Sequence, residues 1–116
     1  MKAGGEFRVV LVTCESLRGA RRIAQQVVSK RLAACVNVVR SPVESIYAWK
    51  GKMETAREYL LLVKTTASRL IELEREVHRL HGYKVPEFVA LSIEAGSAKY
   101  LAWVQESVSP RRKRLA

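Results

Sequence analysis

Residues 35–64 contain the feature that most limits what this chain can fold into: two strand-forming runs joined by a tight turn. Branched and aromatic side chains dominate both runs, which suits a pleated, half-buried surface. Gly51 lies between the runs, where a tight reversal often needs a positive φ angle. Pro42 interrupts the first run, and because proline cannot donate to a ladder it belongs at an edge or a bulge. The stretch therefore predicts a long, bent hairpin with one edge of limited pairing capacity.

The length and composition are those of one globular domain. A chain of 116 residues with 48% hydrophobic and 28% charged residues is long enough for a real core. No apolar run approaches the ~20 residues that a membrane helix requires, and residues 1–8 lack the hydrophobic block of a secretory signal. Two cysteines do not make a disulfide framework, so a reducing, cytoplasmic location is expected.

The net charge of +10 raises the question of an acidic partner. Four of the positive charges lie in residues 111–114, and without them the excess is +6. We therefore expect a single domain over residues 1–108 and a disordered basic tail over residues 109–116. Acidic residues are interspersed through the domain, so a well-solvated surface explains the remaining charge without a partner.

Hydrophobic periodicity predicts a central strand at residues 7–13 and an amphipathic helix after it. Ser16 is the candidate N-cap of this helix, because its hydroxyl can accept from a free amide of the first turn. Apolar residues recur at spacings of three and four, which is the pattern of a helix with one buried side. The residues on its exposed side are predicted to be Arg18, Arg21, Arg22, Gln25 and Lys30.

A second helix is predicted after the hairpin. Thr65 or Thr66 can cap it, Glu76 falls on its exposed side, and it stops near Gly82, a natural left-handed residue after a helix end. A fourth strand at residues 88–93 and a short third helix capped by Ser97 complete the chain.

The predicted order is β-α-β-β-α-β plus a terminal helix, the ferredoxin-like arrangement of the α+β class. Right-handed crossovers then give an antiparallel sheet with strand order 4-1-3-2 and both main helices on one face. The second strand is an edge in this topology, which agrees independently with Pro42. The first strand and the second helix end on the same side, so Cys14 and His81 are expected to lie close together. Cys35 begins the second strand at the other end of the sheet, too far from Cys14 for a disulfide.

Five segments of the chain, taken together, resemble the CutA family of divalent-cation tolerance proteins. The resemblance covers about residues 9–108 and implies a ferredoxin-like protomer, a stable homotrimer and a cytoplasmic location. It also implies a trimer architecture similar to that of PII-like signalling proteins. The segments are RLAACVNV (31–38), SIYAWKGK (45–52), LLLVKTT (60–66), HGYKVPE (81–87) and YLAW (100–103).

Two differences from the family pattern bear on metal binding. The family usually has proline where this chain has Gly82. Copper sites proposed in some relatives use a cysteine late in the first strand and two adjacent histidines at the end of the second helix, where this chain has Val12, Leu80 and His81. Cys14 lies two residues beyond the strand position, and thiolate with imidazole suits copper. Cys14 and His81 are therefore the candidate ligands for copper or another divalent cation, bound weakly.

A second candidate site is a small-molecule pocket. Lys64 and Glu87 are polar residues that a plain sheet would not require. Cys35 begins the second strand next to Lys64, and Tyr83 lies in the same resembling segment as Glu87. Two interpretations stay open for Lys64 and Glu87: an ion pair across subunits, or a pocket for a small anionic metabolite as in a PII-like sensor. The predicted ligand-binding residues are Cys35, Lys64, Tyr83 and Glu87.

The outer end of the hairpin is the predicted subunit interface. A monomer would leave three apolar side chains of this end exposed to solvent: Ile46, Tyr47 and Trp49. An apolar edge of this kind must be covered or paired. Closed symmetry satisfies that demand, and the resemblance to CutA selects three subunits.

No catalytic pattern is visible in the sequence. We find no phosphate-binding loop, no nucleophile with its base and no paired carboxylates, so an enzyme is not expected. An RNA-binding module of the same topology would need aromatic side chains in its third strand, which carries only Tyr59. Nucleic acid and membrane are therefore not expected as partners.

Overall fold

The structure, a computed structural model, describes residues 1–110 and has the predicted ferredoxin-like topology. Its main sheet is antiparallel with the order β3-β5-β2-β6, which is the predicted order 4-1-3-2 seen from the opposite edge. The strands are β1 (Lys2–Ala3), β2 (Phe7–Cys14), β3 (Cys35–Val38), β4 (Val43–Trp49), β5 (Lys52–Thr66), β6 (Val89–Ser92) and β7 (Ala95–Gly96). The helices are α1 (Leu17–Ser29), α2 (Leu70–Leu80) after a short 3-10 turn (Ala67–Arg69), and α3 (Ala98–Val108).

Strand β2 lies in the middle of the sheet, and its two faces have different covers. Val10 and Val12 are fully buried on the face that α1 and α2 cover. Phe7 is three residues before Val10, so strand alternation places its side chain on the other face of the sheet. There it packs in a separate cluster with α3. Helix α3 therefore lies on the opposite face of the sheet from α1 and α2. The α1 and α2 residues of the main core are Ala20, Ile23, Val27, Leu73 and Val77, and α3 contributes Leu101, Val104 and Val108 to the second cluster.

Two of the predicted helix caps are confirmed. Ser16 accepts a hydrogen bond at Oγ from the amide of Gly19 (3.0 Å), and Ser97 accepts one from the amide of Tyr100 (3.4 Å). Each bond satisfies a first-turn donor that has no partner within its own helix. The five polar residues predicted on the outside of the first helical segment are all exposed.

The hairpin is longer than the rest of the sheet. Strand β5 has 15 residues, and its first half pairs only with β4, from Trp49 opposite Lys52 to Val43 opposite Glu58. We call residues 43–58 the hairpin arm. Lys50 and Gly51 form its turn with φ angles of +51° and +79°, the combination of two positive φ angles that matches the twist of paired strands. The gap between β3 and β4 coincides with Pro42, as the missing amide of proline predicts.

Helix α2 differs from the prediction at three points. Thr66 precedes the 3-10 turn without a capping hydrogen bond, and Thr65 instead donates to the buried carbonyl of Leu32 (2.7 Å). The helix ends at Leu80 with His81 extended (φ −80°, ψ 142°), and Gly82 has no positive φ, so a left-handed cap at Gly82 was wrong. Glu76 is buried rather than exposed, because Lys30 and Arg79 close over its carboxylate.

The small sheet formed by β1 and β7 was not predicted, since two residues in each strand carry no periodicity. Next to it the two chain segments approach closely at Gly4, where a Cβ would lie 1.6 Å from the carbonyl oxygen of Ile93, so only glycine fits at this position. Of the predicted basic tail, residues 111–116 lie outside the described residues, so its disorder stays a prediction.

Candidate functional site

The predicted meeting of Cys14 and His81 is confirmed, and its geometry is informative. Both residues line one small cleft with Ser16 and Gly19 of the α1 start. The His81 Nε2 atom lies 2.7 Å from the carbonyl oxygen of Thr13, and its Nδ1 accepts from the amide of Tyr83 (3.0 Å). A carbonyl can only accept and an amide can only donate, so the ring is the neutral tautomer with its proton on Nε2. Neither ring nitrogen has a lone pair free for a metal ion.

The Cys14 thiol is poorly prepared to bind metal. Cys14 is 3% exposed, and burial raises the pKa of its thiol to about 11, with a further contribution from the charge of Glu58. Metal ions bind the thiolate, which such a thiol rarely forms near neutral pH. Within residues 1–110, no three or more His, Cys, Asp or Glu side chains are grouped to hold a metal ion. The residues present therefore do not fit a tight copper centre within one protomer.

Tyr83 and Glu87 lie beside a residue that the sequence reasoning missed. Glu58 is only 7% exposed, and its carboxylate lies close enough to Tyr83 and Glu87 for its charge to act on both groups. Burial first, and then the charge of Glu58, raise the pKa of Tyr83 to about 12. The same two causes, in the same order, raise the pKa of Glu87 above its ordinary value. By strand alternation Glu58 shares a face with Leu60 and Leu62, opposite to the core residues Leu61 and Val63, and nothing local indicated that the turn after α2 would cover it.

Cys35 and Lys64 form a different group. They are directly opposite each other in the β3–β5 ladder, so their side chains share a face. Lys64 donates from Nζ to the Asn37 side-chain oxygen, and Asn37 is a second residue that the sequence reasoning missed. Burial, and then the nearby Cys35, raise the pKa of Tyr100 in helix α3 above its ordinary value. This end of the sheet therefore combines a thiol, an ammonium group and a phenol.

The four predicted ligand-binding residues do not share one pocket within a protomer. Tyr83 and Glu87 gather around Glu58, whereas Cys35 lies opposite Lys64. Glu58 and Lys64 both belong to β5, and their separation of six residue steps corresponds to roughly 20 Å at ~3.3 Å per residue. A ligand contacting all four would have to lie between two subunits.

The predicted interface residues are exposed, as expected for a single protomer. The exposed fractions of Ile46, Tyr47 and Trp49 are 63%, 45% and 52%. A second uncovered apolar surface lies on the sheet beyond the reach of α3, where cross-strand neighbours share a face. We call it the uncovered sheet face, and it consists of Val9, Leu11, Leu62, Val89 and Leu91.

Fold and site together define a ferredoxin-like α+β protein with a protruding hairpin arm and an apolar sheet face left open. A family profile described as "CutA1 divalent ion tolerance protein" matches residues 8–107. The chain belongs to this family, which confirms the resemblance seen in the sequence. Within residues 1–110, no helix is long and apolar enough to cross a membrane.

Individual relatives agree with the family assignment. The "Divalent-cation tolerance protein CutA" of Thermus thermophilus is 48% identical over 99 residues, which cover 85% of this chain and 95% of the relative. "Protein CutA 1, chloroplastic" of Oryza sativa is 44% identical over 99 residues, 85% of this chain and 55% of the relative. Human "Protein CutA" is 44% identical over 108 residues, 90% of this chain and 60% of the relative. The chain thus spans little more than half of its plant and mammalian relatives.

Solved structures agree with the fold. The Cut A1 structure from Thermus thermophilus superposes with a TM-score of 0.87 at 47% identity, covering 89% of this chain and 99% of that one. CutA1 from Oryza sativa gives a TM-score of 0.87 at 40% identity, covering 95% and 100%. The Archaeoglobus fulgidus structure is described as periplasmic and the rice relative as chloroplastic, so a cytoplasmic location for this chain stays a prediction.

Proposed function

We propose that this protein acts in divalent-cation tolerance as a homotrimer, and that one protomer alone holds copper only weakly. Relatives that this chain nearly spans in full carry the name divalent-cation tolerance protein. The observation that carries the assembly is the coincidence of two uncovered apolar surfaces, the hairpin arm and the uncovered sheet face. Exposed edges and apolar patches of this kind mark association surfaces.

Assembly would also complete the predicted ligand site. Lys64 and Glu87 belong to groups roughly 20 Å apart along β5, so they can meet only across a subunit boundary. The uncovered sheet face lies between these two groups and would be buried by a neighbouring chain. A trimer therefore offers three equivalent clefts, each with an ammonium group from one subunit and a carboxylate from the next.

Multi-angle light scattering tests the assembly. We expect about three times the protomer mass of 13.1 kDa, unchanged on dilution into the nanomolar range. A stable monomer would contradict the proposal.

Calorimetric titration with Cu(II), and with Cu(I) under reducing conditions, tests the metal. We expect weak binding that strengthens as the pH rises, because deprotonation of Cys14 becomes easier towards its pKa of about 11. Cys14→Ser should remove this pH dependence, and Cys35→Ser serves as the matched control. Nanomolar affinity at neutral pH, or an unchanged titration of Cys14→Ser, would show that copper is held elsewhere or by other groups.

A further inference from the structure

Helix α1 carries three arginines on one exposed stripe. Arg18, Arg21 and Arg22 are spaced three and four residues apart, so they share one side of the helix. All three side chains are exposed. Among the described residues, none of the three forms a salt bridge or a side-chain hydrogen bond, although other arginines of the chain do. We call these three residues the α1 basic stripe.

The lack of acidic partners has a simple cause. Residues 16–43 contain no Asp or Glu, so the acidic residues are not as evenly interspersed as the sequence-based interpretation assumed. Glu76, the buried carboxylate between α1 and α2, is already paired with Lys30 (2.5 Å) and Arg79 (2.7 Å). Glu15 lies just before the helix, but its carboxylate faces Gly82, where an added Cβ would be 3.4 Å from Oε1. The stripe therefore keeps its full positive charge.

Folding does not explain the stripe. Arg18 is the second residue of α1, and all three arginines fall within its first two turns. Arg18 lies in the first turn, at the positive end of the helix dipole, where a cation is unfavourable. Arg21 and Arg22 are three and four residues from it, and like charges at such spacings cost about 0.2–0.5 kcal/mol per pair. A surface that works against helix stability, and receives no internal compensation, is expected to have an external anionic partner.

We propose that the α1 basic stripe binds the phosphate backbone of double-stranded nucleic acid, independently of base sequence. Guanidinium groups match phosphate oxygens in a bidentate geometry, and an exposed row of them follows a phosphate backbone. This inference goes beyond the tolerance function and does not depend on it.

Two alternative partners fit the stripe less well. A single-stranded nucleic acid would need aromatic side chains for stacking, but the exposed aromatic residues lie on the hairpin arm and on α3, on the opposite sheet face from α1. An anionic membrane would be favoured by apolar side chains beside the arginines, yet the large apolar residues of α1 face the core, with Val28 (40% exposed) as the main exception. With Tyr59 as its one aromatic residue, strand β5 is poorly suited to stack bases on the sheet, but backbone binding by α1 requires no stacking.

Salt-dependent binding of the full chain to a labelled DNA duplex of about two helical turns provides the test. We would follow fluorescence anisotropy between about 50 and 200 mM NaCl, with wild type and with Arg18→Gln/Arg21→Gln/Arg22→Gln. Each phosphate contact contributes about 0.9 to the slope of log K against log salt, so the variant slope should be smaller by up to about 2.7. Its affinity at the lowest salt should fall at least about tenfold.

Two further variants separate the stripe from total charge. The variant Lys2→Gln/Lys84→Gln/Lys99→Gln also lowers the net charge of +10 by three, but it removes exposed lysines that lie outside α1. It should bind the duplex nearly as well as wild type. Replacing the three arginines by lysine keeps the charges and should preserve most of the slope of log K against log salt. The affinity should be weaker, because lysine lacks the planar guanidinium group that binds phosphate in a bidentate geometry. Circular dichroism would establish that all variants are folded.

Several outcomes would overturn the proposal. Equal losses in the stripe variant and in the lysine variant would show that overall charge, not α1, attracts the duplex. No measurable binding by wild type would remove the partner altogether. Stripe-dependent binding to phosphatidylserine vesicles without binding to DNA or to an RNA duplex would assign the surface to a membrane.

Discussion

The imidazole Nε2 atom of His81 lies 2.7 Å from the carbonyl oxygen of Thr13, and this bond joins the end of α2 to the end of β2. The other ring nitrogen accepts from the Tyr83 amide and so orders the turn that covers Glu58. One side chain therefore connects the helix layer, the central strand and the base of the hairpin arm. In this protomer His81 acts as a structural connector rather than as an open metal ligand.

His81→Ala should lower the free energy of unfolding by roughly 1–2 kcal/mol, because the Tyr83 amide and the Thr13 carbonyl each lose a partner. His81→Gln can still donate to Thr13 and should cost less than the alanine variant. Chemical denaturation of both variants measures the difference, with exposed His78→Gln as the control. Equal stabilities of wild type and His81→Ala would mean that the two hydrogen bonds contribute nothing in solution.

Glu76 should confer acid sensitivity. Its hydrogen bond from Arg79, followed by that from Lys30, lowers the pKa of Glu76 from 4.5 to about 2. Because the folded pKa is depressed, the stabilisation is fully present above pH 4.5 and is lost as the pH falls towards 2. Glu76→Gln should cost about 1 kcal/mol at neutral pH, and this difference from wild type should shrink across that window.

The control for this experiment is Glu74→Gln, which changes an exposed carboxylate of the same helix without a salt bridge among the described residues. Thermal unfolding at several pH values would separate the two variants. A pH-independent difference between wild type and Glu76→Gln would rule out linkage through this carboxylate.

Trp49→Glu should weaken assembly. Trp49 is 52% exposed on the hairpin arm, and a carboxylate there would have to be desolvated in any interface that covers the arm. Light scattering on dilution should show smaller species for this variant. Ile71→Glu is the matched control, since Ile71 is 73% exposed on α2, away from both uncovered apolar surfaces. A trimer that tolerates Trp49→Glu as well as Ile71→Glu would place Trp49 outside the interface.

The turn of the hairpin arm can be improved. Lys50 adopts a φ of +51°, which is unfavourable for a lysine and natural for asparagine. Lys50→Asn should stabilise the protein by roughly 0.5–1 kcal/mol, part of the cost of a left-handed non-glycine residue. Gly51→Ala should destabilise the protein, because the φ of +79° at this position disfavours a residue with a Cβ. Thermal midpoints measure both changes, with Lys52→Asn, a strand position outside the turn, as the control; a lower midpoint for Lys50→Asn would contradict this explanation.

Local patterns predicted the elements well where one short stretch decides the outcome. Ser16 and Ser97 cap helices because the capping bond joins residues three apart, and Gly51 marks a turn because φ is a property of one residue. The prediction for the end of α2 failed because its outcome does not depend on one short stretch alone. Gly82 has the conformational freedom for a left-handed cap, but His81 is held extended by bonds to Thr13 and Tyr83, one of them far away in the chain.

By itself the sequence determined the fold: the alternation of strands and helices, the sheet order with Pro42 at its edge break, and the meeting of Cys14 with His81. These follow from periodicity, turn chemistry and the handedness of crossovers, which act over short stretches or are common to all chains. Only the tertiary structure decided that Glu58 and Glu76 are buried and that both nitrogens of His81 are occupied. It also decided that the four predicted ligand residues split into two groups, one around the middle of β5 and one near its end. Burial and hydrogen-bond partners depend on side chains brought together from distant segments, and that information is absent from any local window of sequence.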